Sequence, residues 1–236
     1  QFYKEGGIDI YGDPTVMSIT PTEQYFIQTG KRLFKGIEDY NEVHRMVFDI
    51  ETHSLEPANG RIFAIGVIDN RGYSKIITMR DNDDSERNGI IAFFKIIDEV
   101  KPTIIAGYNS ENFDWHFIIE RLSILGVDVK RVSKTLSKIP LYRKKATLKL
   151  AADMEQYQQT VMWGYNVMDT IHAVRRAMAI NSNIKAAGLK YITKYSNANK
   201  ADRVYIDGDK IGSMWNDKLY WFNTKNGSWG EWEHKY

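Results

Sequence analysis

The chain has 236 residues, 43% of them hydrophobic and 26% charged, a balance that excludes wholesale disorder and suits one sizeable domain with an appendage. It contains no cysteine, which excludes disulfide scaffolds, thiol nucleophiles and cysteine-held zinc. The formal charge of +2 is too small to announce a polyanion binder, no apolar run approaches the ~18 residues of a membrane span, and Gln1 to Ile10 lack the apolar stretch of a secretory signal.

Residues 1–42 read as a lead-in. A helix is predicted from Pro21-Thr22-Glu23-Gln24, with Thr22 as its N-cap and Tyr25, Phe26, Leu33 and Phe34 as its apolar stripe. From His44 the pattern changes. Met46 to Ile50 is a short apolar strand ending in charge, Arg61 to Ile68 a second, and Tyr73 to Met79 a third after the turn Asp69-Asn70-Arg71-Gly72. The acidic stretch Asp81 to Glu86 reads as a solvated loop before a helix over Gly89 to Val100. Pro102 to Gly107 is a buried strand and Phe113 to Leu125 the helix after it. A long helix is predicted from about Tyr165 to Ile180, and another over Ile184 to Tyr195. A meander followed by strand–helix alternation gives an α/β class with a mixed sheet and flanking helices.

Two stretches stand apart. Lys130 to Lys149 carry eight Lys or Arg and no acid, either a phosphate-tracking surface or a solvated loop or hairpin. Residues 201–236 hold Trp215, Trp221, Trp229 and Trp232 and the hairpin signals Gly208-Asp209 and Asn226-Gly227. They read as a small β-rich appendage, or as the start of a longer protein's next part.

Candidate chemistry lies in the acids. With only five histidines and no cysteine, a metal would have to be held by oxygen, which suits Mg²⁺ or Mn²⁺. Asp49 and Glu51 end the first strand, and residues i and i+2 of a strand face one side. Two like charges side by side are unfavourable unless a cation lies between them. Asp114 follows the Ile104–Gly107 strand as a helix begins, and Asp169 is expected one helical turn after Tyr165, on the same face. Taken singly, each pattern is also that of a solvated strand end, a helix-dipole acid or an ordinary helical pair.

Phe48-Asp49-Ile50-Glu51-Thr52, the run from Tyr108-Asn109 to Phe113-Asp114, and Tyr165-Asn166-Val167-Met168-Asp169 resemble, in this order, the three exonuclease motifs of family B DNA polymerases. Roughly His44 to Tyr195 is therefore similar to the proofreading 3′–5′ exonuclease domain of the DnaQ-like, ribonuclease H-like superfamily, in its tyrosine subgroup. The wording is nearest to phage polymerases. The resemblance implies two metal ions, Mg²⁺ or Mn²⁺, held by Asp49, Glu51, Asp114 and Asp169, with Tyr165 orienting the attacking water. It implies contacts to the terminal nucleotide from Asn109 and Phe113, and from Thr52 and Leu55 just after the first motif. Within the basic stretch, Arg143, Lys144 and Lys145 are the candidates for drawing in the strand.

The organisation expected is a lead-in over 1–42, an exonuclease domain over 43–200 and the appendage over 201–236. Tyr11-Gly12-Asp13-Pro14 is the only echo of a polymerase palm motif, and it reads as a turn. The chain is thus expected to be an exonuclease module, cut from a longer polymerase or made by a split gene; the start at Gln1 points to a fragment. Its expected partners are a single-stranded or frayed DNA 3′ end and a polymerase in cis or in trans, with no membrane, in the cytoplasm of a bacterial or phage-infected cell. The alternatives are a free-standing exonuclease acting on RNA and a non-catalytic single-strand-binding module.

Overall fold

Alternation of apolar and polar residues builds the centre of the molecule. In β1 (Arg45–Thr52), Met46, Phe48 and Ile50 are buried, while Val47, Asp49 and Glu51 face the other way. The computed structural model describes residues 20–31, 36–37, 39–150, 153–199, 211–212, 215, 220–223 and 228–231. The chain divides into two compact units, Gln1–Val43 and His44–Tyr236.

The first unit contains α1 (Pro21–Thr29) and a 3-10 turn at Tyr40–Glu42. The N-cap of α1 is Thr20 rather than Thr22, because Pro21 takes the first helical position, where its missing N–H costs nothing. Thr20 and Glu23 form a reciprocal capping box. Leu33 and Phe34 lie outside the described residues.

The second unit is built on β1, β2 (Ile62–Asp69), β3 (Ser74–Thr78), β4 (Ile104–Gly107) and β7 (Asn166–Asp169). They form one sheet in the order β3-β2-β1-β4-β7, with β3, β2 and β1 antiparallel and β1, β4 and β7 parallel. Across one face pack α2 (Asp83–Val100) and α3 (Asp114–Ile124), followed by the short α4 (Val129–Ser133). Phe48 meets Phe93 of α2 and Trp115 of α3, each at 4.9 Å between ring centroids, so the back of the carboxylate-bearing strand is fixed by aromatic packing.

The acidic stretch before α2 is not a solvated loop. Asn82 caps the helix, which begins at Asp83, and the acids of its first turn favour the positive end of the helix dipole. Glu86 is fully buried, paired with Arg121 of α3 at 2.6 and 2.8 Å.

The basic stretch resolves into α4 and one strand of a hairpin, β5 (Tyr142–Leu150) paired antiparallel with β6 (Asp153–Val161). The helix predicted over Tyr165–Ile180 is corrected: residues 166–169 are strand β7, and α5 starts only at Ile171 and ends at Ile180. Pairing with β4 overrides a four-residue spacing that suits either structure. The next helix, α6, spans Leu189–Tyr195, shorter than expected. In the tail, β8 (Tyr220–Asn223) pairs antiparallel with β9 (Ser228–Glu231), a β-rich segment as expected, although Gly208-Asp209, Asn226-Gly227 and Trp232 lie outside the described residues. Trp215 stacks on Phe63 at 5.0 Å, a packing role.

Candidate active site

The parallel strands β1, β4 and β7 all run toward the same edge of the sheet, and functional groups in open α/β sheets gather beyond such carboxyl ends. Asp49 and Glu51 end β1 on the face away from α2 and α3. Gly107, the last residue of β4, leads into a tight turn; a Cβ on it would lie 2.4 Å from the Ser110 side chain. Asn109 adopts φ 60°, a left-handed conformation that asparagine tolerates better than most residues. The turn delivers Asp114 as the first residue of α3. Asp114 is 3% exposed, and its Oδ1 accepts the Ile50 N–H of β1 at 3.1 Å.

Electrostatics join these acids. Partial enclosure pushes the Asp49 carboxyl up, and Glu51 is pushed up by enclosure and then by the Asp49 charge. Asp114 is raised to about 7, first by burial and then by Asp49. Among the described residues, no Lys, Arg or His forms an ion pair with any of the three. Three carboxylates with oxygen donors only, crowded and without a counter-charge, fit a hard divalent cation by donor chemistry. Among the described residues no three acids or histidines converge as a ready-made cage.

Asp169 ends β7 beside Gly107, with which it is in register. It is buried, and three backbone N–H groups donate to it: Asn109 at 2.8 Å and Ile171 at 3.1 Å to Oδ1, Glu111 at 2.9 Å to Oδ2. Tyr165 is not brought to the carboxylates. It precedes the first residue of β7, at the edge of the sheet where Arg45 and Ile104 begin their strands. Four strand steps separate it from Asp169, roughly 13 Å at ~3.3 Å per residue. It packs against the core, and burial and then Asp98 raise its hydroxyl pKa.

The candidate substrate contacts divide. Phe113 is half-buried against Phe117, at 5.5 Å. The Asn109 side chain accepts from Asn112 at 3.1 Å. Thr52 donates to the Ser54 carbonyl at 2.7 Å, beside a register shift after Glu51, and Leu55 is 80% exposed. Arg143 is built into the hairpin base, donating to the carbonyls of Glu111 and Gln158. Lys144 and Lys145 are exposed on β5 and, as neighbours in a strand, face opposite sides.

Sequence reasoning missed Glu111. It is 2% exposed, and its carboxylate accepts the Thr160 N–H at 2.9 Å and the Thr160 hydroxyl at 2.6 Å, tying the hairpin to the turn after β4. Its partner is 49 residues away, so the only available signal was an acid placed among small polar residues.

Residues 28–191 match the family model "DNA polymerase family B, exonuclease domain". The chain is 30% identical over 168 residues to a DNA polymerase of Pyrococcus glycovorans, covering 66% of this chain and 20% of that protein. It is 33% identical over 86 residues to DNA polymerase 2 of Aeropyrum pernix, covering 35% of this chain and 10% of that one. The chain thus spans a fifth or less of the length of these relatives. The solved family B DNA polymerase of the hyperthermophilic archaeon Pyrobaculum calidifontis shares the fold, with a TM-score of 0.55 at 24% identity over 74% of this chain and 21% of that one. This agrees with the ribonuclease H-like mixed sheet expected. The RNA-directed and non-catalytic alternatives are not favoured by these matches. Among the described residues no helix is long and apolar enough to cross a membrane. The family match covers more than half of the sequence, and the chain accordingly belongs to the exonuclease-domain family of family B DNA polymerases, metal-dependent 3′–5′ proofreading nucleases.

Proposed function

We propose that this chain removes the 3′-terminal nucleotide from an unpaired DNA end as a nucleoside 5′-monophosphate, using Asp49, Glu51 and Asp114 to hold two Mg²⁺ or Mn²⁺ ions. The reading rests above all on one observation: three acids, two ending β1 and one opening α3 after β4, have carboxyls raised by enclosure, two of them raised further by the charge of Asp49, and among the described residues no Lys, Arg or His forms an ion pair with them. When bound, the ions would neutralise the phosphodiester charge and supply an activated water. The chain's own residues perform the rest. The core-packed strand holds Asp49 and Glu51 on one face, and the Ile50 N–H fixes one oxygen of Asp114. Asn109, Phe113, Thr52 and exposed Leu55 border the carboxylates in sequence and are offered as contacts to the terminal nucleotide, by hydrogen bond or by stacking. Lys144 and Lys145 would attract the backbone by charge alone.

The domain would serve a polymerase in cis or in trans, in the cytoplasm where the genome is copied. Phage kinship is supported by none of the relatives named above. The test is nucleotide release from matched single-stranded DNA and RNA ends, with and without Mg²⁺ or Mn²⁺. Cation-dependent release that is faster from DNA is expected. Faster trimming of RNA, or binding of single strands without release, overturns the reading.

A further inference from the structure

Resting on that reading, we infer that Asp169 is a positioning residue that builds the turn carrying Asn109 and leading to Asp114, and that it is not a metal ligand. Its carboxylate offers about four acceptor sites, and three are taken by the N–H groups of Asn109, Glu111 and Ile171. One site is left, on Oδ2, so a cation could engage both oxygens only by displacing N–H donors that are themselves buried or part-buried, leaving them unmatched. Asp49 and Glu51 keep surface open to solvent, whereas Asp169 is 7% exposed.

The neighbouring residue grips the same turn from the other side. Thr170 donates to the Gly107 carbonyl through its N–H at 3.0 Å and its hydroxyl at 2.7 Å. Between these grips the chain reverses through left-handed Asn109. The Asn109 and Ser110 carbonyls then accept from Phe113 at 3.0 Å and Trp115 at 2.8 Å. Asp114 lies between those two residues, so the turn sets its position. Removing the Asp169 carboxylate would free the Asn109 and Glu111 N–H groups, loosen the start of α3 and displace Asp114 from Ile50.

The test uses the full chain. In metal-free protein, Asp169→Asn should speed hydrogen exchange of the Asn109 and Glu111 amides at least tenfold, while Asp49→Asn leaves it unchanged. The Asp114 carboxyl ¹³C resonance should move in Asp169→Asn but not in Val167→Ala, a packing variant of the same strand. In the wild-type chain, saturation with Mg²⁺ should leave the Asn109 and Glu111 amides as protected as before. Mn²⁺ affinity should fall less in Asp169→Asn than in Asp49→Asn. Unchanged amide exchange in Asp169→Asn overturns the inference, and so does loss of amide protection when the wild type binds Mg²⁺. The Mg²⁺ arm needs no variant and survives a misfolding substitution. If the wild type binds no divalent ion, the functional reading fails, and the metal-free exchange still decides the role of Asp169.

Discussion

Two aspartates with enclosed side chains lie at opposite edges of the same sheet, Asp69 ending β2 and Asp114 opening α3, and have opposite electrostatics. Asp69, at the end of β2 beside Met46, receives the His44 ring at 2.7 Å and the N–H groups of Arg71 and Tyr73 at 2.8 and 2.7 Å. Burial pushes its carboxyl up, but these donors outweigh burial and hold it below the usual range. Asp114 is also enclosed, but it has the Ile50 N–H and the like charges of Asp49 and Asp169 around it, and it is raised to about 7. Enclosure alone therefore does not mark a functional acid. What separates the two acids is whether the fold supplies donors enough to outweigh burial and like charge.

The largest effect should come from removing the acid that both of its neighbours feel. Asp49→Ala should lower nucleotide release at least a thousandfold, about 4 kcal/mol of transition-state stabilisation. Metal-free stability should hold or rise as repulsion is relieved. Retained Mg²⁺-dependent turnover, measured beside a thermal melt, would break the comparison.

At the opposite edge, Asp69→Asn should reduce folding stability by about 1–3 kcal/mol, because buried donors lose a charged acceptor. Mn²⁺ affinity should not change. The sign follows from the lowered carboxyl: its contribution is full at neutral pH and lost as pH falls through the carboxylate range. Denaturant melts at pH 7 and pH 3 would check both points.

Asp114 should behave in the reverse sense. Its raised pKa means that the folded state holds the proton more tightly, so its favourable contribution is full below pH 3.8 and is lost as pH rises through about 7. Metal-free Asp114→Asn should be more stable than wild type at pH 8 by about 1–2 kcal/mol, with the gap closing in acid. A wild-type metal affinity that climbs through pH 7 would sharpen the contrast, since the ion must displace that proton.

The smallest effect is expected from Tyr165→Phe. With the hydroxyl under the influence of Asp98 and the residue four strand steps from Asp169, turnover should fall less than about twofold, under ~0.5 kcal/mol. A loss of tenfold or more would return Tyr165 to the reacting centre.

The strands were largely legible because alternation is a local signal. Met46, Phe48 and Ile50 against Val47, Asp49 and Glu51 announce a half-buried strand with two acids on one face. Asp114 was legible as an acid opening a helix. The stretch from Tyr165 to Asp169 was misread because four-residue spacing suits a helical face as well as a strand, and only the long-range pairing with Ile104 to Gly107 decides between them. Glu86 was misread for a similar reason. An acid in an acidic run looks solvated until Arg121, 35 residues away, closes on it. The division of Lys144 from Lys145 follows from strand geometry that a charge count cannot convey.

The hairpin is braced at more than one place, and this makes a truss of the site. At its base Glu111 holds Thr160. Further along, Tyr157 meets His172 edge-on at 4.3 Å, and near the far end Arg175 pairs with Glu155 while Arg176 reaches the Lys149 carbonyl at 3.4 Å. All three of these braces land on α5, whose first N–H is bound by Asp169, the same side chain that fixes the turn at Asn109 and Glu111. Turn, ribbon and helix thus close a triangle. A triangle of stiff members cannot shear unless a side changes length. A load anywhere along the ribbon is then shared with α5 and brought back to Asn109, whose place is set by the frame as a whole.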